Sequence, residues 1–218
     1  TYGITSDPMT HFAVVLSALI HDADHTGVSN GQLIKEDQRL AAVYGEKSVA
    51  EQNSVTLAWQ LLQEECYLDL RQCIYQTPEE MRRFRQILVN SVLATDIFDK
   101  DLGARRKDRW NKAFAKVEQP LFLSTPKDNY AINRKATIVI EHLIQASDVA
   151  HTMQHWQVYV KWNERLFREN YDAFLKGRAE GNPAIGWYEG EIKFFDGYVI
   201  PLAKKLKDCG VFGVSSDE

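Results

Sequence analysis

The chain has 218 residues, 44% hydrophobic and 26% charged, with a formal net charge of −4. That is ordinary globular composition without low-complexity character, long enough to bury a sizeable core as one domain or two closely packed subdomains. An isoelectric point near 5.9 argues against a dedicated nucleic-acid binder, whose surface is usually basic.

The longest apolar run, "FAVVLSALI" at 12–20, is far short of the ~20 residues a membrane span needs. No signal-peptide pattern is visible. Cys66, Cys73 and Cys209 have no metal-ligand spacing and an odd count, so a reduced, cytoplasmic compartment is the simpler expectation. The first residue is Thr1, close to a helix. The chain is therefore expected to be a piece of a longer protein.

Helical periodicity dominates from the start. Residues 9–21 are apolar almost all round, which suits a buried helix. From Ser48, with Glu51 three residues later, the pattern is that of a capping box. Val49, Val55, Ala58, Trp59 and Leu62 then recur at helical steps. Thr77 and Pro78, followed by acidic residues, open a third long helix. "RRKDRWNK" at 105–112 reads as the solvated start of another, rather than as a phosphate track. A stripe of Val139, Ile140, Leu143, Ile144 and Ser147 marks a helix from 133, and the next runs to about Gly177. A last long helix covers 188–210. No stretch alternates like a strand. The expected fold is all-α, a compact bundle of eight to ten helices.

"SALIHDADHTGVSN", residues 17–30, sets His21, Asp22, Asp24 and His25 behind the first apolar helix. Such groups are costly to bury without partners. On a helix His21 and His25 would share a face, and imidazole with carboxylate suits zinc, magnesium or manganese. A solvated turn is the alternative. Asp148 lies in a helical context among Ile144, Ala146, Val149 and Ala150. It reads either as a distant ligand to the same cation or as one half of a buried ion pair. Two cations on such residues can activate a water and clamp a phosphate for in-line attack. The local chemistry thus points to metal-assisted phosphoester hydrolysis.

The same segments, in the same order over 10–212, resemble the class I cyclic-nucleotide phosphodiesterases, members of the wider HD metallohydrolases. The matching stretches are "ALIHDADHTGVSN", "LAAVYGEKSVAEQNSVTLAWQLL", "VNSVLATDIF", "IQASDVAH" and "EIKFFDGYVIPL". The resemblance implies hydrolysis of cAMP, cGMP or both to 5′-monophosphates in signal transduction, with two divalent ions, zinc and magnesium or manganese. It implies that His21, Asp22 and Asp148 ligate metal, and that His25 and Glu51 lie just outside, Glu51 ordering waters on the magnesium-like ion. It puts Asn30 and Asp96 in or near the pocket, Glu191 at the base-reading position and Phe194 against the purine. It also implies a larger, multidomain signalling protein in the cytoplasm, with a nucleotide-cyclase domain and a homodimer among the arrangements open to it. No nucleic-acid or direct membrane contact is expected of this segment.

Four departures from the family pattern stand out. No HNxxHA motif, source of the general acid and of one metal histidine, precedes His21. His11, ten residues earlier and on a different face, does not replace it. Residues 1–218 thus read as a single partial catalytic domain without its N-terminal helices, weak or inactive alone because such an acid is worth roughly 10²–10⁴ in rate. Glu191 stands where the family has glutamine; an ionised carboxylate only accepts hydrogen bonds and so favours guanine, unless Glu191 is simply an exposed helix residue. Asn53 and Ser54 follow Glu51 where the family often has a histidine pair. His151 replaces an asparagine, and with His155 is expected on the pocket wall or surface. A non-catalytic nucleotide-sensing or dimerisation domain is the competing reading.

Overall fold

The computed structural model describes residue 4 and residues 6–114 and 126–211. Thr1, where the chain opens, and Phe212, where the resemblance closes, lie outside them. The described residues hold no strand, in agreement with the all-α expectation. In chain order the helices are α1 (Pro8–Ile20), α2 (Asn30–Glu36), α3 (Gln38–Tyr44), α4 (Val49–Gln63), α5 (Leu68–Ile74), α6 (Pro78–Leu93), α7 (Lys100–Phe114), α8 (Pro126–Asp148), α9 (Trp156–Leu175), α10 (Trp187–Phe194) and α11 (Ile200–Asp208). The periodicity missed the seven-residue helices α2, α3 and α5. None is long enough to develop a repeating stripe.

Local chemistry sets most boundaries. Thr77 caps α6: its hydroxyl accepts from the Glu80 amide, and Glu80 reaches back to the Thr77 amide, with Pro78 at the first helical position. The capping box expected at Ser48 is not formed. Ser48 sits at φ 41°, in the left-handed region, and makes no cap bond. Its hydroxyl instead donates to Asp96 Oδ2 at 2.7 Å, and Glu51 bonds to Asn30. The hydroxyl donates to a long-range acceptor instead of accepting from a local amide. The basic stretch 105–112 lies inside α7 rather than at its start, and Arg106 within it is buried.

α10 and α11 continue one another through a single wider turn, Phe195–Val199. Pro201 explains it: proline lacks the N–H of a regular ladder and its ring crowds the carbonyl four residues back. A π-type turn absorbs that mismatch.

The core is a set of clusters linked through α1, α6 and α8, which pack on one another. Ile20, Val55, Leu88 and Val92 join α1, α4 and α6. Ala13, Leu62 and Phe84 extend the same contact. Val139, Ala146 and Val149 pack with Leu202, Leu206 and Cys209, tying α8 to α11. Val28, Leu33, Val49 and Ala173 fasten the 21–30 segment to α9. Ile20 and Val149 are therefore anchored beside the residues that carry the polar chemistry. No described helix is long and apolar enough to cross a membrane, and the three cysteines are free.

Candidate active site

Helix α1 stops at Ile20, and two tight turns follow, Ala23 N–H to the Ile20 carbonyl at 2.9 Å and His25 N–H to the Asp22 carbonyl at 3.0 Å. Asp24 sits at φ 64° and Gly27 at φ 72°, left-handed positions that aspartate and glycine tolerate best. His21 and His25 consequently do not share a helix face, as the four-residue spacing suggested. Ser54 Oγ donates to the Ala23 carbonyl at 2.7 Å and Asn53 Nδ2 to Asp24 Oδ2 at 3.1 Å. The two residues that depart from the histidine pair thus brace the turn.

His21 caps α1, and Asp148 ends α8, 127 residues away. Folding brings them together: His21 Nε2 lies 3.2 Å from Asp148 Oδ1 and 3.4 Å from Asp22 Oδ2. One ligand atom from each of the three residues falls within 4.8 Å of the others. Two carboxylates and the negative ends of two helices thus face one point. Each helix C-terminus carries about half a negative charge, so the point favours a cation.

Electrostatics test whether a metal fits. His21 Nδ1 is 2.9 Å from the Ala18 carbonyl, a bond in which Nδ1–H donates. That tautomer leaves the Nε2 lone pair facing the carboxylates. Without a metal, the same oxygens hold a proton there: the Asp148 hydrogen bond, helped by Ala18 and the Asp22 and Asp148 charges and opposed by burial, raises the His21 pKa to about 9. A divalent ion and that proton compete for one lone pair. Asp148 keeps 31% of its side-chain surface exposed, so the point is open to solvent. The donor set suits zinc or another divalent ion.

Beside this point runs a second polar cluster. Asn30 Nδ2 donates to Glu51 Oε2 at 2.9 Å and lies 3.4 Å from Asp96 Oδ2. Asn30 Oδ1 accepts from the Ala50 amide at 2.9 Å. Burial, with the Asp96 charge adding to it, raises the Glu51 pKa, while the Asn30 bond and the His25 charge oppose. A cation near Glu51 would relieve the repulsion between the two carboxylates.

Glu191 and Phe194, the residues expected to face the base, lie on α10, with Tyr159 of α9 beside Glu191. Glu191 accepts a hydrogen bond from the Tyr159 hydroxyl at 2.6 Å. Tyr159 also meets Phe195 edge-on, with ring centroids 5.5 Å apart. Burial and the Glu191 bond raise the Tyr159 pKa, so the hydroxyl stays protonated and donating. Phe194 is half-buried, stacked on Tyr198 at 5.4 Å and packed against the α8–α11 cluster. His151 is half-buried near Asp148 and Glu191, whereas His155 is exposed and caps α9. His11 is exposed on α1, apart from the cation point. Sequence reasoning missed Tyr159 and Ser48. No local signal marks either, because their partners are 32 and 48 residues away.

Fold and site together define a class: an all-helical protein with a histidine–aspartate cation point at the meeting of two helix ends. The pattern of the 3′5′-cyclic nucleotide phosphodiesterase family matches residues 4–210, and the chain belongs to that family. A probable 3′,5′-cyclic phosphodiesterase of Caenorhabditis elegans is 27% identical over 172 residues, 78% of this chain and 21% of that protein. A high-affinity cAMP-specific, IBMX-insensitive 3′,5′-cyclic phosphodiesterase 8A of Homo sapiens is 26% identical over 196 residues, 83% of this chain and 22% of its own length. The chain thus spans about a fifth of these curated relatives. The phosphodiesterase domain of a RhoPDE fusion protein from the choanoflagellate Salpingoeca rosetta shares the fold, with a TM-score of 0.70, 23% identity, and coverage of 92% of this chain and 62% of that one.

Proposed function

We propose that this chain is the greater part of a single catalytic domain that hydrolyses 3′,5′-cyclic nucleotides to 5′-monophosphates. The observation that carries the reading is the convergence of His21, Asp22 and Asp148 across 127 residues of sequence, with the Asn30–Glu51–Asp96 cluster alongside.

In this reading His21, Asp22 and Asp148 hold a zinc ion, and Asp22 with Glu51 serves a magnesium or manganese ion. Such ions supply Lewis-acid polarisation of the phosphoryl oxygens and a lowered pKa for attacking water. The chain does the positioning. His21 is fixed in one tautomer by Ala18. Asn30 holds Glu51, which orders water by accepting hydrogen bonds from it. Phe194 offers an aromatic face to the purine. Glu191, held by Tyr159, presents a carboxylate that accepts from the two adjacent donors of guanine, N1–H and N2–H, and offers nothing to the acceptor N1 of adenine. The substrate preference therefore leans to cGMP. A multidomain cytoplasmic signalling protein is the setting this reading favours, in keeping with relatives about four times as long as the chain.

The test is hydrolysis of cAMP and cGMP with zinc and magnesium present, Asp148→Ala beside the unaltered chain. Loss of 5′-monophosphate formation in the variant supports the reading. If the folded chain binds cations and cleaves neither nucleotide, even when extended upstream by ~70 residues, roughly half a small domain, the sensing role takes its place.

A further inference from the structure

Helix α6 ends at Leu93, and the chain turns through Ala94 and Thr95 to Asp96. A helix C-terminus leaves carbonyl oxygens without partners in the helix. Glycine in the left-handed region often closes such an end, but Ala94 here is right-handed. Two long side chains from neighbouring helices reach in instead. Arg106 of α7 donates from Nη2 to the Asp96 carbonyl at 2.8 Å, and its Nη1 lies 3.4 Å from the Ala94 carbonyl and 3.5 Å from that of Leu93. Gln145 of α8 donates from Nε2 to the Ala94 carbonyl at 2.8 Å.

Both side chains are buried, Arg106 to 8% exposure and Gln145 to 5%. Among the described residues, the Arg106 hydrogen bonds all go to main-chain oxygens. A buried guanidinium is costly, and an apolar side chain would fill the volume without that cost. Its structural effect is therefore on the 93–96 segment. That segment carries Asp96, whose Oδ2 accepts from Ser48 and Asn30 and whose Oδ1 accepts from the Asp99 amide at 3.1 Å. Asn30 in turn holds Glu51 and the Ala50 amide. Gln145 stands three residues before Asp148 on α8. One helix thus presents the distant carboxylate of the cation point and grips the segment that leads to Glu51.

We propose that Arg106 and Gln145 are positioning residues, which fix Asp96 through its main chain and so set Glu51 relative to Asp148. The inference rests on the reading of Glu51 as a group serving the second cation. Its test combines Mn²⁺ titration followed by electron paramagnetic resonance with amide hydrogen exchange, on the full chain and on Arg106→Met, Gln145→Leu, Asp96→Asn and the Arg106→Met/Asp96→Asn double variant. Loss of Arg106 should weaken the weaker Mn²⁺ site about tenfold, the low end of what groups behind metal ligands are worth. The Ala50 amide should exchange faster although Arg106 does not touch it. The double variant should bind Mn²⁺ little worse than Asp96→Asn, because coupled residues are non-additive. Additive losses, or faster exchange confined to 93–96, overturn the proposal. Gln145→Leu, the milder change, decides it if Arg106→Met does not fold: an unaltered Ala50 amide there sinks it. Should the unaltered chain bind no Mn²⁺, the reading of Glu51 falls, and the exchange arm still settles whether these residues hold Asp96 in register with Asn30.

Discussion

In the proposed function, Glu191 is the position at which a single oxygen-for-nitrogen change would alter recognition. Glutamine turns over to present a donor or an acceptor, whereas an ionised glutamate only accepts. The Tyr159 hydroxyl at 2.6 Å fixes the carboxylate, which restricts it further. Glu191→Gln is expected to relax a preference for cGMP over cAMP by about tenfold, the worth of one unmatched hydrogen bond of ~1.4 kcal/mol. The ratio of kcat/KM for the two nucleotides measures it, and an unchanged ratio removes Glu191 from base recognition. Tyr159→Phe should move the same ratio while leaving Mn²⁺ affinity alone. His21, Asp22 and Asp148 were legible in the sequence because histidine and aspartate are conspicuous in apolar helical surroundings. Ser48, Arg106 and Tyr159 were not. A serine before a helix reads as a cap, an arginine in a basic run reads as solvated, and a tyrosine on an aromatic helix reads as core; only long-range contacts reveal otherwise.

Elements whose boundaries depend on local chemistry could be read, and those that depend on packing could not. Thr77, Pro78 and Glu80 announce α6 and form the expected bonds; Thr77→Ala should lower stability by about 1 kcal/mol, measured by urea unfolding. The turn 195–199 answers to the main-chain needs of Pro201, and periodicity does not register it. The junction of α7, α8 and α11 holds a further consequence. His142 of α8 is 2% exposed. Its Nδ1 donates to the Ile138 carbonyl at 2.7 Å, and its Nε2 lies 3.3 Å from Lys205 Nζ of α11. Trp110 of α7 packs on the ring at 4.8 Å. Burial, followed by the Lys205, Arg106 and Arg109 charges and against the Ile138 bond, lowers its pKa to about 4. The unfolded chain takes up this proton near pH 6.5 and the folded chain only near 4. Stability is therefore full above about pH 6.5 and falls as pH drops towards 4. The full difference corresponds to about 3 kcal/mol. Replacing His142 by Gln should flatten the dependence of unfolding free energy on pH in that window; an unchanged slope would assign the loss to other groups.

At the scale of the whole molecule, the cation point is where the ends of the first helix, α1, and of α8, 127 residues apart, meet. α1 and α8 bring two helix C-termini and the carboxylates of Asp22 and Asp148 to within a few ångströms. Core residues on either side, Ile20 and Val149, keep the two ends from moving apart. The apolar packing thus holds like charges together, and the proton on His21 offsets only part of the repulsion. A divalent ion offsets more, and it binds a geometry that the unfolded chain does not possess. Binding must then stabilise the fold by linkage: zinc at a hundred times its dissociation constant adds about 2.7 kcal/mol. For a chain of this size that raises the unfolding midpoint by about 5–10 °C. Asp148→Ala, which removes one ligand and half of the charge crowding, should keep its own midpoint with or without zinc, and a chelator should return the unaltered chain to its metal-free value. Because this shift reads binding and not turnover, it separates the cation point from every later catalytic step. A midpoint that ignores zinc in the unaltered chain would mean that the clustered carboxylates are balanced by the His21 proton alone.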